Sequence, residues 1–180
     1  MLYAGVMRAE TDIKKLQQFM VEIGKIKGAS GCIYFTGGAT AIMMEWRDTT
    51  IDVDIKLDPE PAGVFARIAG LKDELDINVE LASPEQFIPE VPGWRERSKF
   101  IASHGDVSFF HYDFYSQALS KIERWHDRDR IDVTAMLEQR LVERTMLAAL
   151  FEKIAAELIR FPAIAPESFR TRLESLVGSD

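Results

Sequence analysis

Two aspartates two positions apart stand in Ile51-Asp52-Val53-Asp54-Ile55-Lys56-Leu57, a run that alternates strictly between apolar and polar residues. The alternation predicts a strand over 51–57, with both acids leaving one face about 6.5–7 Å apart. Carboxylates so placed suit a hard divalent cation, magnesium before manganese. Paired magnesium ions in phosphoryl-transfer sites lie about 3.5–4 Å apart, a spacing two such acids can serve together. Alone, an Asp-x-Asp on a strand is more often a solvated edge than a ligand pair.

The residues ahead of the acids change that balance. Phe35-Thr36-Gly37-Gly38-Ala39-Thr40 sets a glycine pair between an apolar run, 32–36, and a helix expected over 39–46. Glycines let a backbone approach a phosphate closely, and a helix N-terminus presents N–H groups with partial positive charge. Gly37, Gly38 and the Thr40 hydroxyl are therefore the expected nucleotide contacts, although a glycine pair standing alone is more often an ordinary tight strand-to-helix turn. Ile77-Asn78-Val79-Glu80-Leu81 alternates likewise, which predicts a third strand with Asn78 and Glu80 on its polar face.

These residues need elements to hold them. A first helix over 11–27 is expected, capped by Thr11 and striped by Ile13, Leu16, Met20, Ile23 and Ile26. Pro61 opens a second long helix over 62–75. The central strands expected are 32–36, 51–57 and 77–82. A segment over 84–92 is irregular, and a surface loop after Pro92-Gly93 carries Trp94. Residues 98–103 and 107–112 form a hairpin around His104-Gly105-Asp106. Four helical pieces follow, over 113–126, 129–142, 144–160 and 166–177. The fold class is α/β (α+β): a small mixed β-sheet with packed helices, and an all-helical C-terminal half. The division expected is an α/β core over 1–112 and a helical part over 113–180 packed on it.

Strand, Gly-Gly, helix, then a strand bearing Asp-x-Asp resembles the core signature of the DNA polymerase β-like nucleotidyltransferase superfamily. Here Gly37-Gly38 is followed by thirteen residues and then Asp52-Val53-Asp54, an interval slightly longer than usual there. A second block, Ser120-Lys121-Ile122 and then Asp127-Arg128-Asp129-Arg130-Ile131-Asp132-Val133, resembles the lysine helix and Arg-Asp-x-x-Asp helix of a bacterial branch of that superfamily. That branch is known mainly from toxins of abortive-infection (type IV) toxin–antitoxin systems. The resemblance runs from about Tyr34 to Leu137. It implies a two-metal magnesium site on Asp52, Asp54 and a third acid from the neighbouring strand, best matched by Glu80 with Asp113 as the alternative, and Lys121 as a phosphate or nucleotide contact. Asp129 and Asp132, three apart on one helix face, would orient Lys121, a metal-bound water or an incoming hydroxyl. The implied activity is transfer of a nucleotidyl group from a nucleoside triphosphate to a hydroxyl on RNA, a protein or a small molecule. A tRNA 3′ end or a protein side chain is the acceptor the toxin branch implies, with an antitoxin as partner. The competing reading is a catalytically weak nucleotide-binding or regulatory protein acting through its C-terminal helices.

Composition narrows the classes. Of 180 residues, 47% are apolar and 28% charged, ordinary globular values. The formal charge of −7 argues against a broad basic nucleic-acid surface, though not against an RNA gripped locally. Cys32 is the single cysteine, so no internal disulfide forms. With no apolar run of membrane length and no basic-then-apolar leader pattern, a cytoplasmic protein is expected, with no membrane partner. His104, His111 and His126 lack metal-ligand spacing.

Overall fold

The structure, a computed structural model, describes residues 9–178. The chain divides into two compact units, one formed by the chain through Ala82 with Phe100–Phe110, the other by Ser83–Lys99 with the residues from His111 on.

In the first unit, Asp12 rather than Thr11 starts α1 (Ile13–Gly24): its side chain accepts from the Lys15 N–H at 2.9 Å. Thr11 is instead buried in a backbone bridge to Thr50. Its extended pairing outcompetes the cap its side chain could have made. The apolar stripe of α1, Leu16, Phe19, Met20 and Ile23, is buried.

β1 (Ser30–Thr36) leads straight into α2 (Gly37–Met43), then β2 (Asp52–Leu57), α3 (Val64–Glu74) and β3 (Asn78–Leu81). β4 (Lys99–His104) and β5 (Asp106–His111) turn about Gly105. The strands form one five-stranded sheet in the order β3-β2-β1-β5-β4. β1 and β2 run antiparallel and β2 and β3 parallel, so the expected mixed sheet is present. β3 stands at one end of the order instead of the centre, because the β4/β5 hairpin adds to the far side of β1.

Alternation decides the two faces. Ile33, Phe35, Val53, Ile55, Val79, Val107 and Phe109 belong to one core cluster with Leu16, Phe19, Ile23, Ile68 and Leu71 from the helices. The intervening residues of β2 and β3, Asp52, Asp54, Asn78 and Glu80, leave the opposite face.

In the second unit, Trp94 belongs not to a surface loop but to a short helix, α4 (Trp94–Arg97), and is 1% exposed. Its ring stacks on Tyr112 with centroids 4.5 Å apart, and burial of both rings overrides the local proline-rich signal. The helical part comprises α5 (Phe114–Arg124), α6 (Asp127–Glu138), α7 (Arg144–Ala155) and α8 (Pro166–Val177). Asp113 caps α5: it accepts from the backbone N–H groups of Tyr115 and Ser116, both at 3.2 Å.

His111 is buried beside Phe114, and burial, reinforced by the charge of Lys99, lowers its pKa to about 4. It is neutral in the fold, while the unfolded chain takes up its proton near pH 6.5. The stability it contributes is thus present above pH 6.5 and is lost as pH falls toward 4, by up to about 3 kcal/mol. A His111→Gln variant should show a flatter stability profile between those pH values than wild type. Identical slopes in denaturant melts would assign the acid loss to other groups.

Candidate functional site

The strand register decides which polar groups meet. Thr36 pairs with Asp54 across β1 and β2, and Asp54 pairs with Glu80 across β2 and β3. Asp54 and Glu80 therefore stand side by side on adjacent strands, whose spacing is about 4.8 Å. One row further along, Asp52 pairs with Asn78. The Asn78 amide donates to Asp52 Oδ1 at 2.7 Å and to Glu80 Oε1 at 2.9 Å, tying the two acids together. Sequence reasoning passed over Asn78. Its only signal was its place two residues before Glu80 in an alternating strand.

The register also brings the glycine turn to the acids. Gly37 follows Thr36 and has φ +57°, the left-handed region that a side chain disfavours. A Cβ at Gly37 would lie 3.0 Å from Asp54 Oδ2, so the carboxylate rests against the bare glycine backbone. A Cβ at Gly38 would overlap the Thr50 side chain and come within 3.3 Å of Arg47 Nη1. Arg47 is thus a cation at the glycine turn that the motif reading did not single out. No periodicity marks it; only the fold of residues 44–51 back over α2 does.

Gly37→Ala should cost about 1–2 kcal/mol from the left-handed backbone alone, and should also push the Asp54 carboxylate from its seat. A variant with the wild-type melting temperature would show that the turn adapts freely.

Thr40 is fully buried, and its hydroxyl donates to the Phe35 carbonyl at 3.1 Å. This bond braces the turn from inside. Asp113, the alternative third acid, is likewise fully buried, and Arg97 pairs with it at 2.8 Å while the Ser116 hydroxyl donates to it at 2.6 Å. Its oxygens are committed to holding the start of α5.

Lys121 and Asp132 lie in the second unit and meet directly: Lys121 Nζ is 2.6 Å from Asp132 Oδ2 and 3.6 Å from Asp129 Oδ1. All three are buried. Asp129 is further held by two hydrogen bonds from Arg124, at 2.6 and 2.9 Å. Burial raises its pKa, but the Arg124 bonds and the charges of Arg124 and Lys121 outweigh that and keep it below the usual carboxylate range. The charges at 121, 129 and 132 form one internal network across α5 and α6, as the three-residue spacing on α6 implied.

Among the described residues no group of three His, Cys, Asp or Glu side chains forms a ready metal cage. Magnesium, however, is commonly held by one or two carboxylates with the substrate's phosphates completing its shell. Asp52 and Asp54 on one strand face, with Glu80 alongside, fit that demand.

The sheet thus carries a strand–Gly-Gly–helix turn with Asp-x-Asp on the neighbouring strand beside it, the arrangement expected from the resemblance to nucleotidyltransferases. Residues 11–174 match the family described as "Nucleotidyltransferase of unknown function (DUF6036)", and the chain belongs to that family. It is accordingly a nucleotidyltransferase. No curated protein and no solved structure matches it. No helix among the described residues is long and apolar enough to cross a membrane.

Proposed function

We propose that this nucleotidyltransferase moves a nucleotidyl group from a nucleoside triphosphate to a hydroxyl of RNA, protein or a small molecule. The acceptor hydroxyl loses its proton to solvent as its oxygen bonds to the α-phosphorus, the bond from that phosphorus to the α–β bridging oxygen breaks, and pyrophosphate leaves with the electron pair. The observation that carries the reading is the contact of Gly37 with Asp54: the turn able to seat phosphate and the acid able to hold a cation are neighbours. Asp52 and Asp54 hold magnesium, or manganese in its place, and Glu80 is the third acid. When bound, the cation neutralises charge building on the phosphate and activates the attacking oxygen. Gly37 and Gly38 give the phosphates access to the backbone, Thr40 keeps the turn in shape, and Arg47 adds positive charge beside it.

Lys121 enters as a nucleotide contact, oriented by Asp132, through the resemblance of its helix to the toxin branch. The same resemblance supports a toxin role in the cytoplasm, with an antitoxin partner and a tRNA 3′ end or protein side chain as acceptor. Incubation with α-labelled triphosphates, magnesium and cell extract should put label on one acceptor class and release pyrophosphate. Release of orthophosphate, or binding of triphosphate with no transfer to any extract component, would overturn the proposal.

A further inference from the structure

Trp125 ends α5 in the left-handed conformation, φ +55°, at a position where glycine or asparagine is usual. Glu45, Asp76 and Arg140 take the same conformation just past other helices, but Trp125 alone among these four sets a bulky aromatic ring there. The indole is not simply filling a core, since it is only half-buried. It lines a cavity of about 400 Å³ with Thr171, Arg172, Ser175 and Leu176 of α8. That volume falls within the range of small-ligand sites, about 300–1,000 Å³.

The lining has three distinct parts. Trp125 offers a π-face, and the Arg130 guanidinium already lies over its ring at 5.6 Å. Arg172 is held in place by the last turn of α5, where its Nη1 donates to the carbonyls of Ile122 and Glu123. A guanidinium carries five N–H donors, so one anchored through a single nitrogen keeps donors for an anion. Thr171 and Ser175, one turn apart on α8, add hydroxyls.

An aromatic platform, a fixed arginine and hydroxyls in one cleft match a planar base joined to a phosphate. We propose that this cavity binds a nucleoside phosphate, the base stacked on Trp125 and the phosphate on Arg172. The site belongs to the helical unit and does not depend on the transferase reading. Its ligand is either a free nucleotide or the terminal nucleotide of a single-stranded RNA.

The test titrates the whole protein in EDTA, which keeps metal-dependent phosphate binding out of the measurement. The probes are the four nucleoside 5′-monophosphates and a short single-stranded RNA, followed by calorimetry. Trp125→Asn keeps a residue that accepts the left-handed backbone but removes the stacking face, so it should fold as wild type does. Binding by wild type that falls at least about tenfold in Trp125→Asn is the expected result, in line with the worth of one stacked base. Arg172→Lys, which keeps a cation but loses the guanidinium fork, should weaken binding of whichever of these probes wild type binds. Monophosphate binding identifies a free nucleotide as sufficient, and binding of the oligonucleotide alone identifies RNA; both uphold the site. No binding of either probe by wild type, or undiminished binding by folded Trp125→Asn, would overturn it.

Discussion

Asp54→Asn should abolish magnesium-dependent transfer while leaving the metal-free protein at least as stable as wild type. The substitution preserves shape and much of the hydrogen bonding, so β2 and its pairing with β1 and β3 should persist. What it removes is one negative charge at the point where Gly37, Thr36 and Glu80 converge. A neutral amide is a poor ligand for a hard dication. Electrostatic contacts of this kind contribute several kcal/mol to the transition state, so the rate should fall by about a hundredfold to a thousandfold or more. Without metal, Asp52, Asp54 and Glu80 repel one another, and the Asn78 amide bridging Asp52 and Glu80 offsets part of this. Removing a charge therefore should not lower the melting temperature in EDTA, while magnesium should stabilise wild type more than the variant. A variant that melts normally yet transfers at the wild-type rate would remove Asp54 from the mechanism. One that fails to fold in EDTA would show that the acid is there for structure.

Lys121→Met should destabilise the protein by about 3–5 kcal/mol, the largest stability effect expected of any substitution at these sites. Methionine matches the lysine stem in length, so the loss is electrostatic rather than steric. Asp132 is 1% exposed and has its Lys121 partner at 2.6 Å, so the variant leaves a buried carboxylate without that cation. Asp129 is cushioned, because Arg124 remains on it. Melting should fall by about 2–4 °C for each kcal/mol in a chain of this size. The double variant Lys121→Met, Asp132→Leu should recover most of the loss, since a buried ion pair can be replaced by apolar groups at little cost. If that restored protein still transfers nucleotides, Lys121 serves the helical packing alone. A single Lys121→Met variant with wild-type stability would mean that water reaches the pair.

The two units differ in how openly their sequences display them. In β2 and β3, alternation assigned Asp52, Asp54 and Glu80 to one face and Val53, Ile55 and Val79 to the core, because side chains on a strand alternate whatever its partner. The Gly-Gly junction was equally legible as a tight turn from strand to helix, since glycine accepts the left-handed backbone that Gly37 adopts there. The helices of the second half followed from their apolar spacing, and the Asp129–Asp132 spacing anticipated a shared approach to Lys121.

Period alone names a face but never a neighbour. That Asp54 sits opposite Thr36 on one side and Glu80 on the other depends on a register chosen by the whole buried sheet, since a one-residue slip would turn every core residue outward. Only that register puts Asn78 between two acids and Asp54 against Gly37. Asp113 stood behind Glu80 as the alternative acid, and tertiary structure sets them apart by enclosing Asp113 as a helix cap and leaving Glu80 exposed. Trp94 and Trp125 likewise stand in similar polar contexts. One is sealed against Tyr112 and the other lines a cavity, because burial is set by what packs from distant parts of the chain and leaves no local mark.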